Sequence, residues 1–263
     1  MLATALDTLV TYNPWTLSPA TTLAEAARLL DETGISAWPV VDDDGSLVGS
    51  LTACAVDQAL LRHPTGQESI AAIVARDAAA MTLATCPLDA LTQMLDAGRR
   101  VAPVIEADRV VGTLSTTDFL RELSYGSSRA GREVVIDYLD KSAETLDSDA
   151  TLQQAYDTIV KSAKSIVIVQ GDFPLGALSG AAVSFARVQQ FARRQRGAAN
   201  AERTVGQLLQ STPTVAPGRS LAEAANLMVE HQLDALAVAN QSAHLLGVLT
   251  EEHILRALLE YER

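Results

Sequence analysis

The chain has 263 residues, is 48% hydrophobic and 20% charged, and carries a net charge of −12. This balance excludes a disordered chain and leaves room for one large domain or two moderate ones. The negative charge argues against broad electrostatic binding to nucleic acid or an anionic membrane, so any phosphate site must rest on local basic residues.

The opening Met1-Leu-Ala-Thr-Ala-Leu-Asp7 has no basic stretch of the kind that begins a signal peptide. No apolar run approaches the ~18 residues needed to span a bilayer. A cytoplasmic location without membrane attachment is expected. Cys54 and Cys86, the only cysteines, read as reduced core thiols. Aromatics make up 4%, which leaves the core to Ala, Leu and Val.

Taken in chain order, Pro19-Ala-Thr-Thr22 is an N-cap signal, with Glu25 in the first helical turn. Leu23, Ala26, Ala27 and Leu30 follow helical spacing on one stripe, and Gly34 suits the helix end. Ala37-Trp-Pro-Val-Val41 is a strand, Asp42-Asp-Asp-Gly45 a turn, and Leu47-Val-Gly-Ser-Leu51 the returning strand. Thr52 caps a closing helix that runs through Leu60 and Leu61.

The pattern then recurs. From Thr16 to Thr52 and from Thr214 to Thr250, 15 of 37 positions are identical at a constant offset of 198. Two weaker copies lie between. One carries Ala90, Pro103-Val104 and Gly112-Thr-Leu-Ser115; the other carries Leu152, Ala155, Ile166-Val-Ile-Val169 and Gly176-Ala-Leu-Ser179. One such repeat exposes too much apolar surface to stand alone, so adjacent repeats are expected to pack sheet to sheet in pairs. The stretch Ser124-Tyr-Gly-Ser-Ser-Arg-Ala-Gly131 reads as the linker between pairs. The expected organisation is a first pair over 1–127 (repeats at about 7–63 and 68–125) and a second over 132–263 (repeats at about 133–196 and 203–262).

These motifs resemble the cystathionine β-synthase (CBS) domain. The shared pattern is a Thr-Val-x-Pro opening, a Leu-x-x-Ala helix, a Pro-Val strand, an acidic-Gly turn and Gly-φ-φ-Thr/Ser-x-x-Asp. The resemblance implies an α/β (α+β) fold of four CBS units, paired into two modules that form a pseudo-symmetric disc. It also implies a non-catalytic regulator that binds AMP, ADP, ATP or S-adenosylmethionine and signals to a partner protein.

In the family, the Thr or Ser and the Asp of the last motif meet ribose and phosphate. Only repeat 2 keeps both, as Ser115-Thr-Thr117-Asp118. Repeats 1, 3 and 4 place Ala55, Ala182 and His253 at the acidic position. Basic residues ahead of the Pro-Val strand are the second test, and repeat 2 has Arg99-Arg100 before Val101. Repeat 3 has Lys161 and Lys164, repeat 1 has no charge there, and repeat 4 has Asp234. The expected ligand site is therefore Asp118, Ser115, Thr117, Arg100, Arg99, Val101 and Thr82. Thr250, His253, Thr52, Ser179 and Lys164 are secondary candidates. Ser115 with Asp118 is equally a helix-start pair whose side chains satisfy free amides.

The basic run Arg187 to Arg196 is a single short run of the kind that forms a solvated or ion-pairing face, so docking against the acidic partner module or another subunit is favoured over nucleic acid. His63, His231, His244 and His253 show no metal-ligand spacing. Nucleophile and P-loop motifs are missing, so no catalysis and no required cofactor are expected. The alternative function is a ligand-free scaffold for protein–protein interaction or homodimerisation.

Overall fold

A computed structural model describes residues 5–76, 80–125, 128–198, 203–209 and 212–262. Repeat 1 contains β1 (Thr11–Tyr12), α1 (Leu23–Thr33), β2 (Ala37–Val41), β3 (Leu47–Thr52) and α2 (Ala53–Arg62). Repeat 2 contains α3 (Pro87–Asp96), β4 (Val101–Glu106), β5 (Arg109–Ser115) and α4 (Thr116–Tyr125). Repeat 3 has β6 (Glu144–Asp147), α5 (Leu152–Ser162), β7 (Ile166–Gln170), β8 (Phe173–Leu178) and α6 (Gly180–Gln195). Repeat 4 has α7 (Val205–Leu208), α8 (Leu221–His231), β9 (Ala235–Ala239), β10 (Leu245–Thr250) and α9 (Glu251–Glu262).

Local chemistry accounts for the element ends. Thr22 accepts the Glu25 N–H to start α1, and left-handed Gly34 (φ 72°) ends it. The stripe that α1 buries is Leu23, Ala26, Ala27 and Leu30, as its spacing predicts. Thr151 with Gln154 and Ser220 with Glu223 form reciprocal capping boxes on α5 and α8. Asp42 Oδ1 accepts from Asp44 N and Ser46 N, which makes the first hairpin turn. Neither cysteine is in a disulfide; Cys54 is half-buried, and Cys86 is exposed rather than in the core. It sits at the N-cap of α3, and Pro87, Ala90, Leu91 and Met94 take the burial instead.

The described residues fall into two compact units. The first draws on 5–118 and 184–198, the second on 119–183 and 203–262. The division falls inside α4 and inside α6, not in the 124–131 stretch, of which Gly126 and Ser127 lie outside the described residues.

Each unit pairs two repeats by exchanging lead segments. In the first unit, β1 of repeat 1 runs antiparallel to β5 of repeat 2, with Thr11 opposite Thr113 and Tyr12 opposite Gly112. In return, Ala75 of repeat 2 bridges Ser50 of repeat 1 through two hydrogen bonds of 3.0 and 2.9 Å. In the second unit, Asp140 of repeat 3 bridges Val248 of repeat 4. Reciprocally, Val205 N and Gly206 N of repeat 4 donate to Ala150 O and Ser148 O of repeat 3. The sheets of repeats 3 and 4 share a core of Val167, Ala177, Ala235, Ala237 and Val248, which is sheet-to-sheet packing.

The exchange explains the motif glycines. A Cβ on Gly49 would stand 2.3 Å from Ala75 O, and one on Gly247 2.4 Å from Asp140 O. On Gly112 it would meet Val10 Cγ1 at 2.3 Å. No side chain fits where the partner repeat's segment crosses the hairpin.

Candidate ligand-binding site

The polar groups of each repeat gather where the hairpin hands over to the closing helix. The amide that opens the closing helix donates to the residue just ahead of the hairpin: Ala53 N to Ser36 O and Thr116 N to Arg100 O, both at 2.8 Å, and Glu251 N to Asp234 O at 2.9 Å. Ser36, Arg100 and Asp234 are thus equivalent positions. Strand register adds Lys164, because Ile166 pairs with Leu178 where Ala102 pairs with Leu114, and Lys164 and Arg100 each lie two residues ahead of that pair.

In repeat 2 the structure brings most of the expected residues together. Val101 is opposite Ser115 on the last rung of the β4–β5 hairpin. Asp118 Oδ2 accepts from Ser115 N at 2.8 Å and from Ser115 Oγ at 2.5 Å, and Asp118 N donates back to Ser115 Oγ. Thr116 is 2% exposed, and its amide and hydroxyl both donate to Arg100 O. Arg99, Arg100, Val101, Ser115, Thr117 and Asp118 are all half-buried.

Thr82 does not join them. Met81 bridges Val104, between Pro103 and Ile105, so Thr82 lies toward the hairpin turn. That is roughly 13 Å along the strand from Val101 at ~3.3 Å per residue. Its hydroxyl is exposed and shared with Thr85 at 3.2 Å.

The other junctions are built differently. Thr52 accepts the Ala55 N–H at 3.2 Å, a simple cap. Ser179 Oγ accepts the Ala182 N–H at 3.1 Å and donates to Asp234 of repeat 4. Thr250 Oγ1 accepts from His253 N, while His253 Nδ1 accepts from Thr250 N at 3.2 Å. Burial holds the His253 imidazole below its ordinary pKa, against the pull of the Asp140 and Glu252 carboxylates. Lys164 Nζ donates to Ser142 Oγ and lies 3.7 Å from Asp140. Hydrogen bonds from Ser142, above all, hold the Asp140 carboxyl below its usual value. The pairing of Asp234 with Ser179 and that of Asp140 with Lys164 have no local signal in the sequence.

The basic run docks within the first unit. Arg187 Nε meets Asp57 Oδ1 at 2.9 Å, Arg193 meets Asp31 at 3.2 Å, and Arg196 pairs with both Asp31 and Glu32. Val188 and Ala192 enter the core of repeat 1 on the same side. Among the described residues no cluster of three or more His, Cys, Asp or Glu suits a metal, and no helix is long and apolar enough to cross a membrane.

Four hairpin-and-helix repeats, joined in pairs by exchanged strands, define a tandem-repeat α+β protein with polar groups at the junctions. The CBS-domain family model matches residues 6–62, 85–125 and 205–260, more than half of the chain, which therefore belongs to that family. Repeat 3 lies outside those matches but has the same element order. Among solved structures, protein MJ1225 of Methanocaldococcus jannaschii, proposed to be an archaeal homologue of γ-AMPK, is similar with a TM-score of 0.79. It is 17% identical, and the match covers 96% of this chain and 99% of that one. An uncharacterised conserved protein of Pyrococcus horikoshii matches with a TM-score of 0.65 and 17% identity, over 97% and 99% of the two chains. At that identity both likenesses speak to the fold. An uncharacterised 17.7 kDa protein of Acidianus ambivalens is 27% identical over 123 residues, 46% of this chain and 74% of that protein.

Proposed function

We propose that the protein is a non-catalytic regulator that binds an adenosine-containing nucleotide at the repeat 2 junction and signals occupancy to a partner protein. One observation carries the reading. Asp118, Ser115, Thr117 and Arg100 come together, half-buried, at the start of α4.

The chemistry suits a nucleoside phosphate. A carboxylate offers about four lone-pair sites. A ribose hydroxyl approaching Asp118 would compete with the Ser115 hydroxyl, leaving the backbone cap bond in place. Thr117 and the first amides of α4 then face the phosphate, where the helix dipole favours negative charge. Arg99 and Arg100 supply positive charge at this junction in a chain of net charge −12. Membership of the CBS family supports a regulatory role.

The test is a thermal-shift panel with AMP, ADP, ATP and S-adenosylmethionine. A ligand at a hundred times its Kd stabilises by about 2.7 kcal/mol. No shift with any of the four at millimolar concentration would favour the scaffold reading instead.

A further inference from the structure

The second compact unit holds a cavity of about 570 Å³ beside α8. Small-molecule sites span roughly 300–1,000 Å³. The cavity is lined by Thr214 and Val215 ahead of α8, by Ala222, Asn226 and Leu227 on α8, and by Ser124 on the last turn of α4. Ser179, Lys164, Asp234, Thr250 and His253 do not line it, so it is not one of the junctions described above.

An internal comparison accounts for its position. Counted from the junction serines Ser115 and Ser179, Ser124 of α4 and Val188 of α6 are equivalent, each nine residues on. Val188 is fully buried in the core of repeat 1, and Phe185 and Phe191 of the same helix pack against that core. The first unit thus meets repeat 1 with an apolar helix face. The second presents to the cavity a smaller, half-buried serine, whose hydroxyl is turned back to Arg121 O at 2.7 Å.

The lining selects a neutral ligand. Arg219 and Glu223, which also line the cavity, pair at 2.6 Å and cancel each other's charge. Glu223 is held in place by the Ser220 N–H at 2.9 Å. Val215 is buried, and Ala222 and Leu227 are half-buried, which gives an apolar wall. Asn226 is half-buried beside them, and among the described residues its side-chain amide makes no hydrogen bond. A flat amide carries a donor and an acceptor side by side, so it matches a ligand edge that carries both. We propose that this cavity binds a neutral small molecule with an apolar ring and a carboxamide-like edge. The edge pairs with Asn226 while the ring lies against Val215, Ala222 and Leu227. The site stands apart from the reading of the repeat 2 junction.

The test is a titration of the full chain with benzamide, followed by amide NMR. The Asn226 side-chain amide and the Ala222 and Leu227 backbone amides should shift together and saturate. Ser124→Phe, which brings a ring to the cavity from α4, should abolish those shifts. Asn226→Leu keeps the volume and removes the polar edge, and should raise the benzamide Kd at least about fivefold; it decides alone if the phenylalanine variant fails to fold. Benzoate has the shape of benzamide but donates no hydrogen bond and carries a charge, so it should bind more weakly. Shifts confined to other residues, an unchanged Kd in Asn226→Leu, or benzoate binding as tightly as benzamide would overturn the proposal.

Discussion

His253 Nδ1 accepts the backbone N–H of Thr250 at 3.2 Å, the same bond that Asp118 Oδ2 makes to Ser115 at 2.8 Å. The capping half of the motif acid's work survives in repeat 4, while its negative charge does not. A neutral imidazole can accept at Nδ1; an imidazolium cannot.

Stability should therefore depend on pH through His253. Burial lowers its pKa in the folded chain, so below the ordinary value of 6.5 the unfolded chain binds the proton more readily. This contribution is complete above about pH 6.5 and is lost as pH falls below it. His253→Asp should keep the cap and flatten the dependence, and His253→Ala should cost about 1 kcal/mol at neutral pH. Urea melts from pH 5 to 8 check both, and an unchanged slope in His253→Asp would contradict the assignment.

Asp57 and Arg187 form a pair whose side chains are 5% and 10% exposed. Removing Asp57 takes from Arg187 the carboxylate it meets at 2.9 Å. Asp57→Ala should therefore destabilise by about 3–5 kcal/mol, and replacing both residues with apolar side chains of similar volume should restore most of it. A double-mutant cycle by urea unfolding decides. Simple additivity of the two losses would show that the charges are not coupled.

Gly49→Ala should loosen the exchanged segment. The new Cβ would sit 2.3 Å from Ala75 O and 2.7 Å from Val74 Cγ1, so the crossing backbone must move. Overpacking of this kind costs about 1–3 kcal/mol. Hydrogen exchange at the Ser50 and Ala75 amides, which bond to each other's carbonyls, should quicken well before that of α1.

The repeat architecture was legible because its signals are local. The stripe of α1, the cap at Thr22, the Asp42 turn and the hairpin strands each lie within a few residues of one another. The motif glycines were visible as a pattern, but their cause was not, since Ala75 crosses Gly49 from a different repeat. The same holds for charge. Arg196 finds Asp31 across 165 residues and Ser179 finds Asp234 across 55, and no spacing rule links them. Thr82 is expected beside Ser115 and Asp118, but the pairing of Met81 with Val104, which no local pattern announces, places it toward the hairpin turn. Ser115, Asp118 and Arg100 share one junction because the motif holds two of them on one helix start and the Thr116 amide bonds to the carbonyl of the third.

The most direct measurement is a calorimetric titration of the wild-type chain and of Asp118→Ala with whichever adenosine nucleotide gives the largest thermal shift. The wild type should bind saturably, and the variant should lose at least tenfold in affinity, about 1.4 kcal/mol. Equal affinity in both proteins would contradict this expectation and remove the ligand from the repeat 2 junction.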